Sequence, residues 1–281
     1  MMLGAMKILN EMKDQLSGTI LFAFEEGEEI GTGINGMMEV LEKKKIDGCW
    51  GMHVYYALES GKISVDAGPR MAGANGLKIR YKGKGGHGSR PDQAINPILA
   101  VNQCINGMTS AWASRIDVTK TVTLGFGHIY GGAQGNIIPE EAGFDGTVRY
   151  FDPDEGAKAT MLIQNAAKAA ALTSGCELVE CVCGKAVGSC INNDDCAQLA
   201  ADALNGIFEP GVVSPCDPWF ASESFSYYLD RWPGVLAFLG IQNPEKGTGA
   251  LHHNPKFDVD EEVMTIGCAS TIGYTVAFLS K

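Results

Sequence analysis

The sequence predicts an α/β protein in which a mostly parallel sheet domain is interrupted by an inserted α+β domain. Near both ends of the chain, apolar runs of strand length alternate with helical segments. From about residue 72 the pattern changes to alternating strands and glycine turns, and past residue 184 the first pattern returns. We therefore predict a sheet domain over 1–71 and 185–281 and an inserted domain over 72–184. With 281 residues, 45% of them hydrophobic, the chain is long enough to bury a core.

The segment before residue 72 predicts two helix–strand pairs. Apolar residues at helical spacing indicate a helix over 1–15, and a second helix is predicted over Ile34–Lys44. Thr19–Phe24 is a continuous apolar run, which is typical of a strand covered on both faces of an α/β sheet. Gly48–Val54 predicts the next strand.

The remaining elements follow in the same way. The inserted domain is predicted to contain strand Leu77–Tyr81, helix Ile95–Ser114, strands Thr119–Ile129 and Glu141–Phe151, helix Asp154–Leu172 and strand Glu177–Cys183. The returning α/β segment is predicted to contain helix Asp194–Leu204, strand Val235–Gly240 and a final helix over Asp260–Leu279. The size and pattern of the insertion are those of a compact unit.

Composition excludes several classes of function. Lys and Arg number 22 against 33 Asp and Glu, and the net charge of −11 repels phosphate backbones and anionic lipids. No uninterrupted apolar stretch approaches the roughly 18 residues of a membrane span, and no signal peptide opens the chain. The nine cysteines lack the spacing of a disulfide scaffold or a zinc ribbon. We therefore expect a cytoplasmic protein with reduced thiols that binds neither nucleic acid nor membrane.

An acidic, glycine-rich loop follows the first predicted strand. It carries four carboxylates: Glu25, Glu26, Glu28 and Glu29. Sites in open α/β sheets form where strands end. Acidic residues also occur at helix N-termini for purely electrostatic reasons. Four carboxylates in five positions are more than a helix N-terminus requires. Crowding like charges is costly unless a cation or a shared proton offsets the repulsion, so the loop is a candidate functional site.

Histidines supply a second set of candidates. His53 lies at the end of the next predicted strand, and His252 and His253 lie together in a loop before the last helix. A histidine on an apolar strand is often a hydrogen-bonded core residue, and adjacent histidines also occur in plain surface loops. Imidazole and carboxylate together, however, are the usual ligands of zinc, manganese and similar divalent ions.

Six motifs in order along the chain resemble metallopeptidase family M20. The closest similarity is to the amidohydrolase branch that cleaves N-acyl amino acids and includes hippurate hydrolases and auxin-conjugate hydrolases. The motifs are Gly18–Gly33, Gly51–Val54, Gly83–Gly88, Gly135–Glu140, Gly146–Arg149 and His253–Glu261.

The resemblance implies a zinc-peptidase-like catalytic domain interrupted by a smaller lid, through which many members form homodimers. It implies a divalent metal, Zn or Mn, with two ions per subunit in the family. Aligned without a gap, the family's general base falls on Glu28 and its metal ligand on Glu29, while His53 and His253 match further ligands. Glu25–Glu26 remains the alternative pair, and His252 the alternative to His253.

The resemblance also assigns roles within the lid. His87 matches a residue that stabilises the oxyanion of the tetrahedral intermediate, in several members across the dimer. Asn136 and Arg149 match lid positions that contact substrate. The implied reaction is hydrolysis of the amide bond of an N-acyl amino acid, with Glu28 as base and then acid. A dipeptide-like substrate is the alternative on the same scaffold.

The sequence departs from the family pattern in two places. The family's first metal motif, Cys-Gly-His-Asp-x-His, and the leading part of the catalytic sheet are not found in this chain, so we expect fewer than two ions. In the second place, Ser222-Glu223-Ser224, the branch usually has an aspartate after the glutamate, and this chain has Ser224. A catalytically silent, dimeric small-molecule-binding protein is therefore the alternative to an amidohydrolase.

Overall fold

The computed structural model describes residues 1–280, and for Lys185 the backbone only. The helices are α1 Met2–Glu11, α2 Ile34–Leu41, α3 Pro97–Arg115, α4 Pro153–Ser174, α5 Asp194–Asn205, α6 Ser226–Leu229 and α7 Met264–Leu279. The strands are β1 Cys49–Glu59, β2 Ile63–Ser64, β3 Gly68–Met71, β4 Gly73–Lys82, β5 Gly86–His87, β6 Val122–Gly131, β7 Ile137–Ile138, β8 Glu141–Tyr150, β9 Glu177–Val187, β10 Cys190–Asn192 and β11 Gly234–Gln242.

The chain divides into two compact units. The first contains Met1–Arg70, Cys190–Trp219 and the chain from Ser224 onward, and the second contains Met71–Ser189. A short return, Phe220–Glu223, also belongs to the second unit. The sequence analysis did not predict this return, because four residues are too few to carry a pattern of their own. We call the first part the sheet unit and the second the inserted unit.

A three-stranded sheet forms the centre of the sheet unit, in the order β1-β11-β2. Strands β1 and β11 run parallel, in register from Cys49 opposite Gly234 to Tyr55 opposite Gly240. Every residue of β11 except Gln242 is buried. This explains its continuous apolar sequence, since both faces of a central parallel strand are covered.

Helix α7 packs against this sheet. The Tyr274 ring stacks on the Trp50 ring of β1 with centroids 4.7 Å apart, and Trp50 Nε1 donates to Thr271 Oγ1 at 3.1 Å. Among the described residues, one segment, Glu261–Leu279, is long and apolar enough to cross a membrane by length and composition alone. The core helix of an α/β domain passes the same test, and the contacts of Tyr274 are those of such a helix.

The strand predicted over Thr19–Phe24 is wrong. These residues form no strand, and they pair with no strand in the part of the chain that the structure describes. Leu21 and Phe24 are 48% and 52% exposed. An apolar run indicates that the segment favours burial. A strand needs in addition a neighbouring strand, whose backbone forms hydrogen bonds with it.

The inserted unit is an antiparallel sheet in the order β6-β8-β4-β9, with α3 and α4 packed on it. Along β4, Leu77, Ile79 and Tyr81 are buried while Lys78 between them is exposed. This alternation is that of a sheet with one covered face. Asp152 caps the N-terminus of helix α4, and its carboxylate accepts from the backbone of Asp154 and Glu155. The predicted strands and helices of this unit are confirmed, with small shifts at their ends.

Candidate active site

The acidic loop is shaped by two glycines. Glu28–Ile30 forms a single 3₁₀ turn between Gly27, with φ of 61°, and Gly31, with φ of 65°. Both glycines are in the left-handed region, which side chains with a Cβ rarely adopt. A Cβ on Gly27 would in addition collide with Thr32 Oγ1. The tight turn places Glu28 and Glu29 on its first two positions.

Ser224 holds two of the four carboxylates. Its backbone N–H donates to Glu28 Oε1 at 3.1 Å, and its hydroxyl donates to Glu25 Oε2 at 2.8 Å. Ser224 is the residue at the position where the branch usually has an aspartate. A hydroxyl can donate to a carboxylate, whereas a second carboxylate would repel it. The departure from the family pattern therefore allows Glu25 to lie beside Glu28.

The environment of Glu25 favours its protonated form. Burial raises the pKa of Glu25, the hydrogen bond from Ser224 lowers it in part, and the nearby charge of Glu28 raises it again. Glu25 Oε1 is buried and has no hydrogen-bond partner. Glu25 and Glu28, the two alternative bases of the sequence analysis, thus have different surroundings. Glu28 accepts a hydrogen bond from a backbone N–H, and Glu25 accepts one from a hydroxyl.

His53 lies within β1, opposite Phe238, and not at the end of a strand as the sequence predicted. The strand continues to Glu59, although its regular pairing stops at Tyr55. His53 Nδ1 lies 2.6 Å from the carbonyl oxygen of Val54. Because a carbonyl only accepts, Nδ1 carries the proton and the lone pair of the neutral ring is on Nε2. Histidines that bind metals commonly have their other nitrogen held in this way.

The two adjacent histidines point to different neighbours. His253 Nε2 lies 3.5 Å from Glu29 Oε2, and both side chains are exposed. His253 has a φ of 62°, and it is the single non-glycine residue with positive φ among those described. Such strained backbone is concentrated at functional sites.

His252 instead packs against His53. The two imidazole centroids are 5.2 Å apart, and the Trp219 ring lies 4.6 Å from His252 on another side. Burial, reinforced by His53 and His253, lowers the pKa of His252 to about 4. His252 is therefore neutral at pH 7, and its Nε2 is buried without a hydrogen-bond partner.

The residues predicted as metal ligands have suitable donor atoms, but they do not form one set. Glu29 and His253 meet, while His53 lies with His252. Across residues 1–280, no group of three or more His, Cys, Asp or Glu side chains is arranged to hold an ion. Zinc sites need three or four protein ligands. The described residues therefore do not fit the paired-metal centre of the family, and the pair Glu29–His253 accounts for part of one site at most.

In the inserted unit, His87 and Asn136 are brought together. His87 on β5 pairs with Ile137 on β7, and the backbone N–H of Gly88 donates to the Asn136 carbonyl at 2.8 Å. The backbone N–H of Ser89 donates to His87 Nδ1 at 3.1 Å. The neutral ring then carries its proton on Nε2 and can donate it to an oxygen.

Arg149 lies on β8 and reaches the short return of the chain. Its Nη1 donates to Ser222 Oγ at 2.8 Å. The sequence analysis noted Ser222 and Ser224 only as parts of a variant motif, without their partners, and it did not single out Trp219. No spacing signal could have found them, because each acts through residues distant along the chain.

Comparison with known proteins supports the resemblance inferred from the motifs. The model of "Peptidase family M20/M25/M40" matches residues 1–272. The thermostable carboxypeptidase 2 of Saccharolobus solfataricus is 30% identical over 100% of this chain and 71% of its own length. The N-acetylcysteine deacetylase of Bacillus subtilis is 29% identical over 94% of this chain and 67% of its own.

A solved structure shows the same fold. The crystal structure of a Bacillus subtilis dinuclear metal binding peptidase from the M20 family superposes with a TM-score of 0.80 at 26% identity, and the match covers 99% of this chain and 70% of that one. The motif order, the sheet and inserted units, and these similarities agree. The chain is a member of peptidase family M20.

Proposed function

We propose that this protein hydrolyses the amide bond of N-acyl amino acids, with Glu28 as the group that moves the proton. Membership of the family makes the chain an amide-bond hydrolase, and the acyl amino acid is the finer part of the proposal. The observation that supports it best is the position of Glu28. Its carboxylate is held by the Ser224 N–H in a turn whose next residue, Glu29, faces His253.

In this proposal Glu28 performs two proton transfers. It first accepts a proton from the water that attacks the acyl carbonyl, and it then returns that proton to the departing amine. The hydrogen bond from Ser224 N occupies Oε1, so that the other oxygen, Oε2, is the one we assign to the transferred proton. A divalent metal, for which we propose Zn or Mn, would be held in part by Glu29 and His253, and it would lower the pKa of a bound water.

We assign substrate contacts to the inserted unit. His87, with Nδ1 accepting from Ser89, presents an N–H at Nε2 that suits a developing oxyanion. Asn136 and Arg149 would contact the amino acid part, the arginine through its two-pronged hydrogen bonding to the carboxylate.

The first prediction tests the base. Replacing Glu28→Gln keeps the acceptor for Ser224 but removes the basic oxygen, so kcat should fall by about 10²- to 10⁴-fold. Initial rates of amine release from N-acetyl and N-benzoyl amino acids measure this, and Glu26→Gln, at an exposed position of the same loop, is the matched control. Near-normal kcat in Glu28→Gln would move the role to Glu25.

Similarity to a carboxypeptidase favours one second candidate, hydrolysis of peptides at the carboxyl end. A panel of N-acyl amino acids and dipeptides with the same terminal residue separates the two. We expect higher kcat/KM for the N-acyl amino acids. Turnover of the peptides alone would replace the proposed substrate and leave the family assignment intact.

We also propose that the protein forms a homodimer through the inserted unit. Strand β6 is an edge of its sheet and contains no Lys, Arg, Asp or Glu, and Ile129 on it is 57% exposed. Strand β9, at the opposite edge, carries Glu177 and Glu180. Charged residues protect an edge against pairing, so β6 is the edge suited to a second copy.

A further inference from the structure

A loop that follows α5 in the sheet unit is held at Cys216 and Trp219 by the buried Arg70 and the half-buried Asp66. The Arg70 side chain is 2% exposed, and its Nη1 donates to the carbonyl of Cys216 at 2.9 Å. The backbone N–H of Cys216 donates to Asp66 Oδ2 at 2.8 Å, and Arg70 Nη1 lies 3.3 Å from the same oxygen. Three residues later, the Trp219 N–H donates to the Arg70 carbonyl at 2.8 Å. The backbone that carries Trp219 is therefore fixed.

The Trp219 ring lies against His252 and His53, both of which are half-buried. Its centroid is 4.6 Å from that of His252, with 34° between the planes, and 5.5 Å from that of His53, with 68°. Tyr55 and Tyr56 border the indole at 5.4 and 6.2 Å. Removing the indole would leave space beside each imidazole.

His252 depends on such packing more than His53 does. His53 is part of a strand and its Nδ1 is bonded to the Val54 carbonyl. His252 lies in a loop without strand pairing. Its Nε2 makes no hydrogen bond, although the ring also has a hydrogen-bond contact with the backbone of Val54. Its ring is instead surrounded by the rings of His53, Trp219 and Phe257, the last at 4.9 Å.

The next residue in the chain is His253, whose backbone has the strained φ of 62° and whose Nε2 faces Glu29. A left-handed residue persists only when its surroundings over-determine it. The packing of His252 supplies that restraint on one side. A movement of His252 would thus change the contact between His253 and Glu29.

We propose that Trp219, held by Arg70 and Asp66, is a positioning residue that orients His252 and His53 and through them the contact of His253 with Glu29. Trp219 itself acts on neighbouring side chains and makes no chemical step. Only the kinetic part of the test rests on the proposed function.

The experiment compares Trp219→Ala and Trp219→Phe with Trp112→Ala, a control tryptophan that is half-buried in the inserted unit. The chain has five histidines, so their ring signals can be followed by NMR in the full-length protein. In Trp219→Ala we expect the His252 ring signals to move downfield, because the shielding by the indole is lost, and the His53 signals to move as well. Trp219→Phe should restore most of the pattern, and Trp112→Ala should leave it unchanged.

The kinetic expectation is a change in kcat with little change in KM. In Trp219→Ala we expect kcat to fall by about 10- to 100-fold, because the contact of His253 with Glu29 is displaced. Trp219→Phe should recover most of the lost kcat. Unchanged His252 signals in folded Trp219→Ala would overturn the proposal, as would an unchanged kcat. If the wild-type protein hydrolyses no N-acyl amino acid, the proposed function fails, and the NMR comparison still decides the positioning role.

A second variant tests whether Asp66 holds the loop that carries Trp219. Asp66→Ala removes the acceptor of the Cys216 N–H, and we expect it to move the same histidine signals in the same direction. In the double variant with Trp219→Ala, the histidine signals should move little further than in Trp219→Ala alone, because Asp66 acts through Trp219. Fully additive changes would show that Asp66 does not act through the indole.

Discussion

Ser224 binds two carboxylates, Glu28 through its backbone N–H and Glu25 through its side chain. Its hydroxyl donates to Glu25, whose pKa burial has already raised and which Glu28 raises further. Restoring an acidic residue at this position would place a third carboxylate against the first two. The serine therefore suits the two carboxylates that lie here, because it adds a donor and no further negative charge.

The second prediction follows. Ser224→Ala should lower the free energy of unfolding by about 1 kcal/mol, because one hydrogen bond is lost, and Ser224→Asp should lower it more, because a repulsion is added. Urea unfolding at pH 7 measures both, with Ser214→Asp as the control for an added charge in the same stretch of chain. If Ser224→Asp is as stable as the wild type, Glu25 and Glu28 do not repel a further carboxylate at this position.

The third prediction concerns the strained backbone of His253. Glycine adopts a φ of 62° without the clash of a Cβ, whereas alanine does not. His253→Gly should therefore be more stable than His253→Ala by up to about 1 kcal/mol, since both variants lose the same exposed contact with Glu29. Chemical denaturation of the two variants side by side gives the difference. Equal stabilities, or a more stable alanine variant, would show that the loop relaxes out of the left-handed region.

At the scale of the elements, the two edges of the inserted sheet differ in charge. Strand β6 exposes Ile129 on a strand without charged residues, and β9 exposes Val182 beside Glu180. A lysine introduced at an uncharged edge opposes strand pairing with another chain. The two edges thus offer a matched pair of positions.

The fourth prediction is that Ile129→Lys lowers the dimer affinity, while Val182→Lys, with similar exposure on β9, leaves it unchanged. Analytical ultracentrifugation over a range of protein concentrations separates the outcomes. Loss of the dimer in Val182→Lys alone would assign the interface to β9. A wild-type protein that sediments as a monomer at all concentrations would refute the proposed dimer.

The same scale explains which elements could be predicted. Helices α3, α4 and α5 could be predicted because their signals are local, and the structure adds a capping side chain at the N-terminus of each: Asn96, Asp152 and Asn193. Thr19–Phe24 could not be assigned from the run alone. Whether it forms a strand depends on a partner backbone, which a window of six residues does not contain.

For the whole molecule, the question is how many metal ions the described residues can bind. Glu29 and His253 form a pair, and within residues 1–280 no third acidic, histidine or cysteine side chain joins them. A divalent ion bound by two protein ligands is held weakly, since stable sites use three or four.

The fifth prediction is therefore that this chain binds at most one divalent ion, and that dialysis against metal-free buffer removes it. Elemental analysis of the purified protein before and after dialysis gives the stoichiometry. His253→Gln and Glu29→Gln should each reduce the content before dialysis, and Glu26→Gln should not. Two ions per chain that survive dialysis would mean that further ligands have been misplaced.

The sequence by itself determined the class of fold, the family and the acids and histidines from which a site can be made, because these depend on periodicity and on motifs read within short windows. Only the tertiary structure decided how those residues are used. It linked Ser224 to Glu28 and Glu25 across 196 and 199 positions of chain, directed His253 to Glu29 and His252 to His53, and left Thr19–Phe24 without a strand partner. Such contacts join residues that are far apart along the chain, and no local pattern encodes them.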